Sequence, residues 1–327
     1  MNGHFFIPKL YDIMTFKKEY KNMKLQLTLN SLALILCCGD LIPSSTQPIS
    51  TQEWQEIEKK IKSAHKEPSM ITGMSIDTLT QIIGLDEFTA HKIEKRQKLL
   101  PDLFYALQNL ENQDIGVTTI YEEDYPASLR VLGTKMPLVI SYIGDLSLSY
   151  GVNISVAGPQ MMNKTMRHVT KEIMKKISKE GYTVVVGGSK GVEELALRTQ
   201  LTNNGNAVLF VADHMFDKIR LYSKYIKQNK LVIMTANDPY ALFDVTHALD
   251  KNLYICGMVF AQIVTGTHIG SGPVWFTSIQ NIHSHWTRQL VYETLDYSGN
   301  IRLIEMGEAH FTDEDLKSEV TLAEILD

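Results

Sequence analysis

The five residues Gly187-Gly188-Ser189-Lys190-Gly191 have the composition of a phosphate cradle. Neighbouring glycines let backbone N–H groups approach an anion closely, the segment that follows offers the unpaired N–H groups of a helix start, and Lys190 adds a cation. A second cluster, Gly270-Ser271-Gly272, stands before Pro273, a residue suited to the first position of a helix. Gly158 ends a third apolar run. Lys164 and Arg167 follow it three residues apart, hence on one face of a helix. Each feature also has a plain alternative, a tight strand-to-helix turn or a solvated helix face.

Other chemistries are poorly represented. Of His247, His268, His283 and His285, only His283 and His285 are closely spaced, and no carboxylate stands at zinc-site spacing beside them. We therefore expect no metal site and no cofactor. Glu193 and Glu194 lie where a general acid or base beside the glycine loop would lie. Charge at a helix N-terminus, favourable through the helix dipole alone, is the preferred reading of both. No nucleophile elbow is present, and no catalytic residue is assigned.

The elements that must hold these loops are legible as an alternation. VNISVAG, YTVVVGG and AVLFVAD are short apolar runs separated by polar stretches of helical length. This is the pattern of βαβ units and a parallel sheet, in which ligands bind at the strand carboxyl ends. Strands are predicted near 152–157, 182–187, 206–212, 231–235, 257–264, 288–292 and 301–305. Helices are predicted near 162–179, 191–203, 216–229, 240–254 and 275–284. The fold class is α/β: a Rossmann-like, mostly parallel sheet with helices on both faces, over 114–308, preceded by a small all-helical domain. Within 115–145, VTTI and PLVISYIGD read as two extra strands laid on the edge of the main sheet.

The all-helical domain spans 24–113. A dense apolar helix comes first. A Pro/Ser/Thr-rich break follows at 40–50, and then a helix that opens with capping chemistry at Ser50 and Glu53. The order helix, Gly-Leu, helix around Gly84 suggests a helix-hairpin-helix or sterile-alpha-motif-like module. Two acids beside that glycine favour a packing role over a DNA contact. Residues 1–23 form an N-terminal arm, and 309–327 an acidic C-terminal tail.

The net charge of −5 argues against polyanion binding by the whole surface. Its distribution is uneven: 164–230 carries 13 Lys or Arg against 6 Asp or Glu, whereas 231–327 carries 4 against 13. The first of these segments is suited to meeting phosphates. Cys37, Cys38 and Cys256 read as free thiols of a reducing compartment. The run at 31–42 is too short to span a bilayer and is interrupted by Asp40. No membrane association and a cytoplasmic location are expected.

The order of these motifs resembles the DNA-processing protein A (DprA/Smf) family. Asp124-Tyr125-Pro126, Leu129 and the stretch from Pro137 to Gly144 are similar to that family's entry segment. Ala157-Gly158-Pro159-Gln160 stands at its first strand-end loop, and Gly187 to Ala196 at its glycine-rich turn. Gly205 to Val211 follow as its next strand. Asp250-Lys251-Asn252-Leu253-Tyr254 stands at its Arg-Asn-Arg helix start, and Gly270 to Trp275 at its last glycine-rich loop. The resemblance covers residues 115–295. It implies a non-enzymatic protein that binds single-stranded DNA in a groove at the strand ends. It also implies a dimer with a role in recombination; for this chain a homodimer or hetero-oligomer is expected, and its departures from the family permit a mobile-element or defence setting. The residues and the resemblance together give the expected contact set: Gly158, Lys164, Arg167, Gly187, Gly188, Ser189, Lys190, Gly191, Lys251, Gly270, Ser271 and Gly272.

The sequence departs from the family where Gln160 and Asp250 replace arginines and Val274 replaces a threonine. Pro159 also removes an N–H donor. An arginine fork binds phosphate in a way that glutamine and aspartate do not. Two alternatives stay open: a nucleotide-sensing or nucleotide-cleaving Rossmann protein, or a scaffold subunit with a degenerate ligand site.

Overall fold

The computed structural model describes residues 25–317 and 319–326. The arm expected at 1–23 lies outside the described residues. The chain divides into two compact units between Glu123 and Asp124.

Local capping sets the helix starts of the first unit. Its helices are α1 (Leu29–Cys38), α2 (Thr51–Ser63), α3 (Ile76–Gln81), α4 (Glu87–Gln97) and α5 (Leu100–Glu111), followed by a short strand, β1 (Gly116–Thr119). Thr28, Ser50, Ser75 and Asp86 each accept a backbone N–H from the first turn. Ser50 and Glu53 complete the expected capping box. The apolar stretch after Gly84 is two helices. They are separated at Lys98-Leu99 because Pro101 has no N–H to return to the Gln97 carbonyl, so the ladder of α4 cannot run on into α5. Trp54, Ile57, Ile61, Leu79, Ile93 and Leu107 fill the interior. Arg96 is buried with them and donates to the carbonyls of Leu36 (2.6 Å), Gly39 (2.7 Å) and Thr46 (3.0 Å), closing the C-terminal end of α1.

In the second unit Tyr125 is buried, and its hydroxyl donates to the Pro137 carbonyl at 2.6 Å. This fixes the entry to β2 (Val139–Ile143). The alternation follows: β3 (Asn153–Ala157), α6 (Lys164–Lys179), β4 (Thr183–Val186), α7 (Val192–Thr202), β5 (Ala207–Phe210), α8 (Met215–Lys227), β6 (Leu231–Thr235), α9 (Val245–Met258), β7 (Ala261–Val264), α10 (Gly272–Ser284), β8 (Arg288–Tyr292), α11 (Ser298–Glu305), β9 (Ala309–Phe311) and α12 (Leu322–Leu326). Within this unit the strand order is β2-β6-β5-β4-β3-β7-β8-β9. β2 lies antiparallel on β6 at one edge, as expected for a strand added there, and all other pairings are parallel.

One sheet face packs Ile154, Val156, Val184, Val186, Leu209 and Ile263 against Met166, Val169 and Ile173 of α6 and Ala196 and Leu197 of α7. α9 lies on the other face, with the rings of Tyr254 and Phe210 5.6 Å apart. The sheet is therefore Rossmann-like and covered on both faces.

Two predicted spans need correction. Residues 301–305 are helix rather than strand. Asn300, fully buried, draws its side chain to Thr267 N, Thr265 O and Tyr292 O, and this wraps the segment into α11. The strand in that region is β9, further on. The strand predicted from 257 begins at Ala261, because α9 runs on to Met258. Past β9, Leu316, Leu322 and Leu326 are buried in the core. Buried Lys176 donates to the Lys317 carbonyl at 2.6 Å and also to that of Val320. One of the lysines counted toward the basic segment thus holds the acidic tail.

Candidate functional site

Parallel strands grow outward in both directions from β3. Strands β4, β5 and β6 lie on one side of it, and β7, β8 and β9 on the other. The switch point is between β3 and β7, where an open α/β sheet leaves a crevice at its carboxyl edge. The loop after β3 (158–163) and the loop after β7 (265–271) flank it, and the glycine loop after β4 (187–191) adjoins.

The three loops touch. A Cβ on Gly158 would lie 2.3 Å from Thr265 Oγ1 and 2.7 Å from Val192 Cγ2. A Cβ on Gly191 would lie 2.4 Å from the carbonyl oxygens of Pro159 and Gln160. The Val192 N–H donates to Pro159 O at 3.2 Å, and the Thr265 N–H to Ala157 O at 2.9 Å. Only glycine fits such backbone approaches, and Gly191 also takes φ +90° as the N-cap of α7. Gly188, at φ +69°, gives the loop its second left-handed turn.

The cations are distributed differently from the expectation. Lys190 is exposed on the glycine loop, and Lys164 and Arg167 are exposed on the first turn of α6. That turn is capped by Asn163, whose Oδ1 accepts the Met166 N–H at 2.7 Å. Lys218 of α8 donates to Gly188 O at 3.3 Å, placing a cation at the glycine loop that the motif reading missed. Its only sequence signal was membership of the basic segment.

Lys251 departs furthest from its expected role as a cation at a helix start. It lies in the middle of α9, is 6% exposed, and inserts beneath the glycine loop. Its Nζ is 3.2 Å from Ser189 Oγ and 3.8 Å from Glu193 Oε2, and would be 2.2 Å from a Cβ on Gly187. Buried against a carboxylate, its ammonium is held at the loop by Ser189 and Glu193. Glu193 accepts the Ser189 N–H at 2.9 Å, while Glu194 pairs with Arg198 at 2.7 Å on the helix surface.

Gly270 and Gly272 have φ +67° and +77°, and Gly270, Ser271 and Gly272 are all exposed at the start of α10, with Pro273 in its first turn as expected. The loop before them is held toward α11. His268 and Tyr297 have ring centroids 5.0 Å apart, and the Ile269 N–H donates to Ser298 Oγ at 3.3 Å. The structure thus brings Gly158, Gly187 to Gly191, Lys251 and Thr265 into one contact set. Gly270 to Gly272 stand at the far end of the third loop.

Burial pushes the Cys37 and Cys256 thiols up to about 12, leaving neither reactive as a nucleophile near neutral pH. Among the described residues no cluster of three or more His, Cys, Asp or Glu is arranged to hold a metal ion, and no helix is long and apolar enough to cross a membrane.

The family described as DNA recombination-mediator protein A matches residues 116–315 of the chain. The fold is similar to the X-ray structure of DNA processing protein A from Streptococcus pneumoniae, with a TM-score of 0.69 and 16% identity, covering 91% of this chain and 99% of that one. It is also similar to the DNA processing protein A of Helicobacter pylori, a structure described for its single-stranded DNA binding mode. There the TM-score is 0.52 and the identity 16%, covering 61% of this chain and 92% of that one. No curated protein matches the chain.

Proposed function

Since the chain belongs to the DNA recombination-mediator protein A family, we propose that it binds single-stranded DNA along the carboxyl edge of its sheet and acts by binding, without a catalytic step. The observation that carries this reading is the convergence of the loops after β3, β4 and β7 at the switch point, with Lys190 and Lys218 at the glycine loop. Backbone amides of a glycine loop and a helix start suit phosphate oxygens of any sequence. Lysines beside them add the salt-sensitive attraction on which strand binding depends. The Helicobacter pylori protein of the same fold is described as a single-stranded DNA binder.

The groove differs from an arginine-lined one. At the first loop Gln160 is exposed and Pro159 presents a carbonyl to Val192. At the glycine loop itself, backbone and lysine contacts hold phosphates as point charges, with less geometric selection than an arginine fork. Lys190→Glu replaces an attraction with a repulsion at the loop. It is expected to weaken binding of a fluorescein-labelled oligo-dT by about tenfold or more at low salt, with the protein's melting temperature unchanged. Unchanged affinity, read by fluorescence anisotropy, would remove Lys190 from the interface.

A further inference from the structure

The glycine loop already holds an anion that belongs to the chain. Glu193, in the first turn of α7, turns back so that its Oε2 accepts the Ser189 N–H at 2.9 Å. The same oxygen lies 3.8 Å from Lys251 Nζ, and the two side chains are 12% and 7% exposed. That ammonium also reaches Ser189 Oγ at 3.2 Å. An amide and an ammonium converging on one carboxylate oxygen are the donors a phosphate oxygen would seek in the same place. The helix dipole accounts for an acid in the first turn, a role Glu194 also fills from the surface with Arg198. It does not account for an acid folded inward over a buried lysine.

The geometry points to Glu193 as a built-in competitor of the ligand, a residue that sets how tightly the loop takes phosphate by neutralising Lys251 and occupying the Ser189 amide. The inference rests on the single-stranded DNA reading above. Its physical content is a trade between stability and affinity. While the carboxylate is present, the buried ammonium is compensated and the free protein is stable. With the carboxylate gone, the ammonium is left unpaired, which disfavours the free protein. A bound phosphate can then supply the missing negative charge. Glutamine at this position keeps the length and an oxygen acceptor for the Ser189 N–H, and removes only the charge. Glu193→Gln is therefore expected to lower the melting temperature of the free protein and to raise its affinity for DNA. A residue that merely shaped the loop would lower both.

The test is anisotropy of fluorescein-labelled oligo-dT across a KCl series. It compares wild type, Glu193→Gln, and Glu193→Gln combined with Lys251→Met, with Glu193→Ala as a second charge-removing variant should the glutamine form fold poorly. Expected is an affinity gain of about tenfold for the single variants. Their log–log salt slope should steepen by about 0.7, the increment of one added phosphate contact on a single strand, and the gain should be lost in the double variant. Equal or weaker binding with an unchanged slope overturns the inference, and leaves the DNA reading intact if the wild type binds. Binding by the charge-removed variants alone supports the inference. Binding by neither wild type nor variants defeats both.

Discussion

Gly191→Ala is expected to cost the second unit about 3 kcal/mol and to abolish binding of oligo-dT. Two separate penalties combine. At φ +90° and ψ −126°, a conformation open essentially to glycine, an alanine pays about 1–3 kcal/mol of backbone strain. Its Cβ would also stand 2.4 Å from both Pro159 O and Gln160 O. Those are backbone atoms of the neighbouring loop, so no side-chain rotation relieves the contact, and overpacking of this kind adds about 1–3 kcal/mol. The loops after β3 and β4 must separate to admit the methyl group. That breaks the Val192-to-Pro159 hydrogen bond and the shared surface on which the binding reading depends. Hydrogen exchange by mass spectrometry should show faster exchange across 158–195, with the first unit unaffected. A variant with native exchange there and native affinity would show that the two loops need not touch.

Arg96→Met should destabilise the first unit by a similar amount, about 3 kcal/mol. The methionine replaces most of the volume, but three carbonyl oxygens, of Leu36, Gly39 and Thr46, lose their donor. A buried polar group left unsatisfied costs about 1–3 kcal/mol, and the Leu36 carbonyl in the last turn of α1 loses the guanidinium that caps it. The effect should be confined to 25–123. Exchange protection of α1 and of the stretch from Gly39 to Ile49 should fall, while the strands of the second unit keep theirs. Lysine at this position should rescue little, because a single ammonium cannot reproduce the planar fork that reaches three oxygens. Full rescue by lysine would show that charge rather than geometry closes the helix.

Much of the second unit was legible because its strands are short apolar runs separated by polar stretches of helical length, the first two ended by glycine. Gly158 and the pair Gly187-Gly188 mark the ends of β3 and β4. The loops after β3 and β4 were read as a site for the same reason. What was hidden depends on contacts distant in sequence. IRLIE alternates like a strand, and only the buried amide of Asn300, which satisfies groups of three other residues, makes it helix. Lys251 was placed among the phosphate contacts by its match to a helix-start motif, because a lone lysine in sequence carries no sign of a carboxylate partner more than fifty residues away. Lys218 had no motif around it, and its place at Gly188 follows from how α8 packs beside β5 and β6. Lys176 was counted as basic surface and is instead a buried anchor for the tail.

The corrections sharpen the electrostatic picture. Of the cations credited to the site, Lys251 is neutralised from within, and Lys164, Arg167, Lys190 and Lys218 remain at the loops. Binding through such contacts should be modest in strength, indifferent to base sequence and strongly dependent on salt.

The most direct test of the account is the salt dependence of oligo-dT binding by the unmodified chain, followed by fluorescence anisotropy. Three to four phosphate contacts on a single strand predict a log–log slope of about −2 to −3, with no competition from free mononucleotides. A flat slope, or displacement of the oligonucleotide by a mononucleotide at comparable concentration, would contradict the account and identify the crevice as a small-ligand pocket.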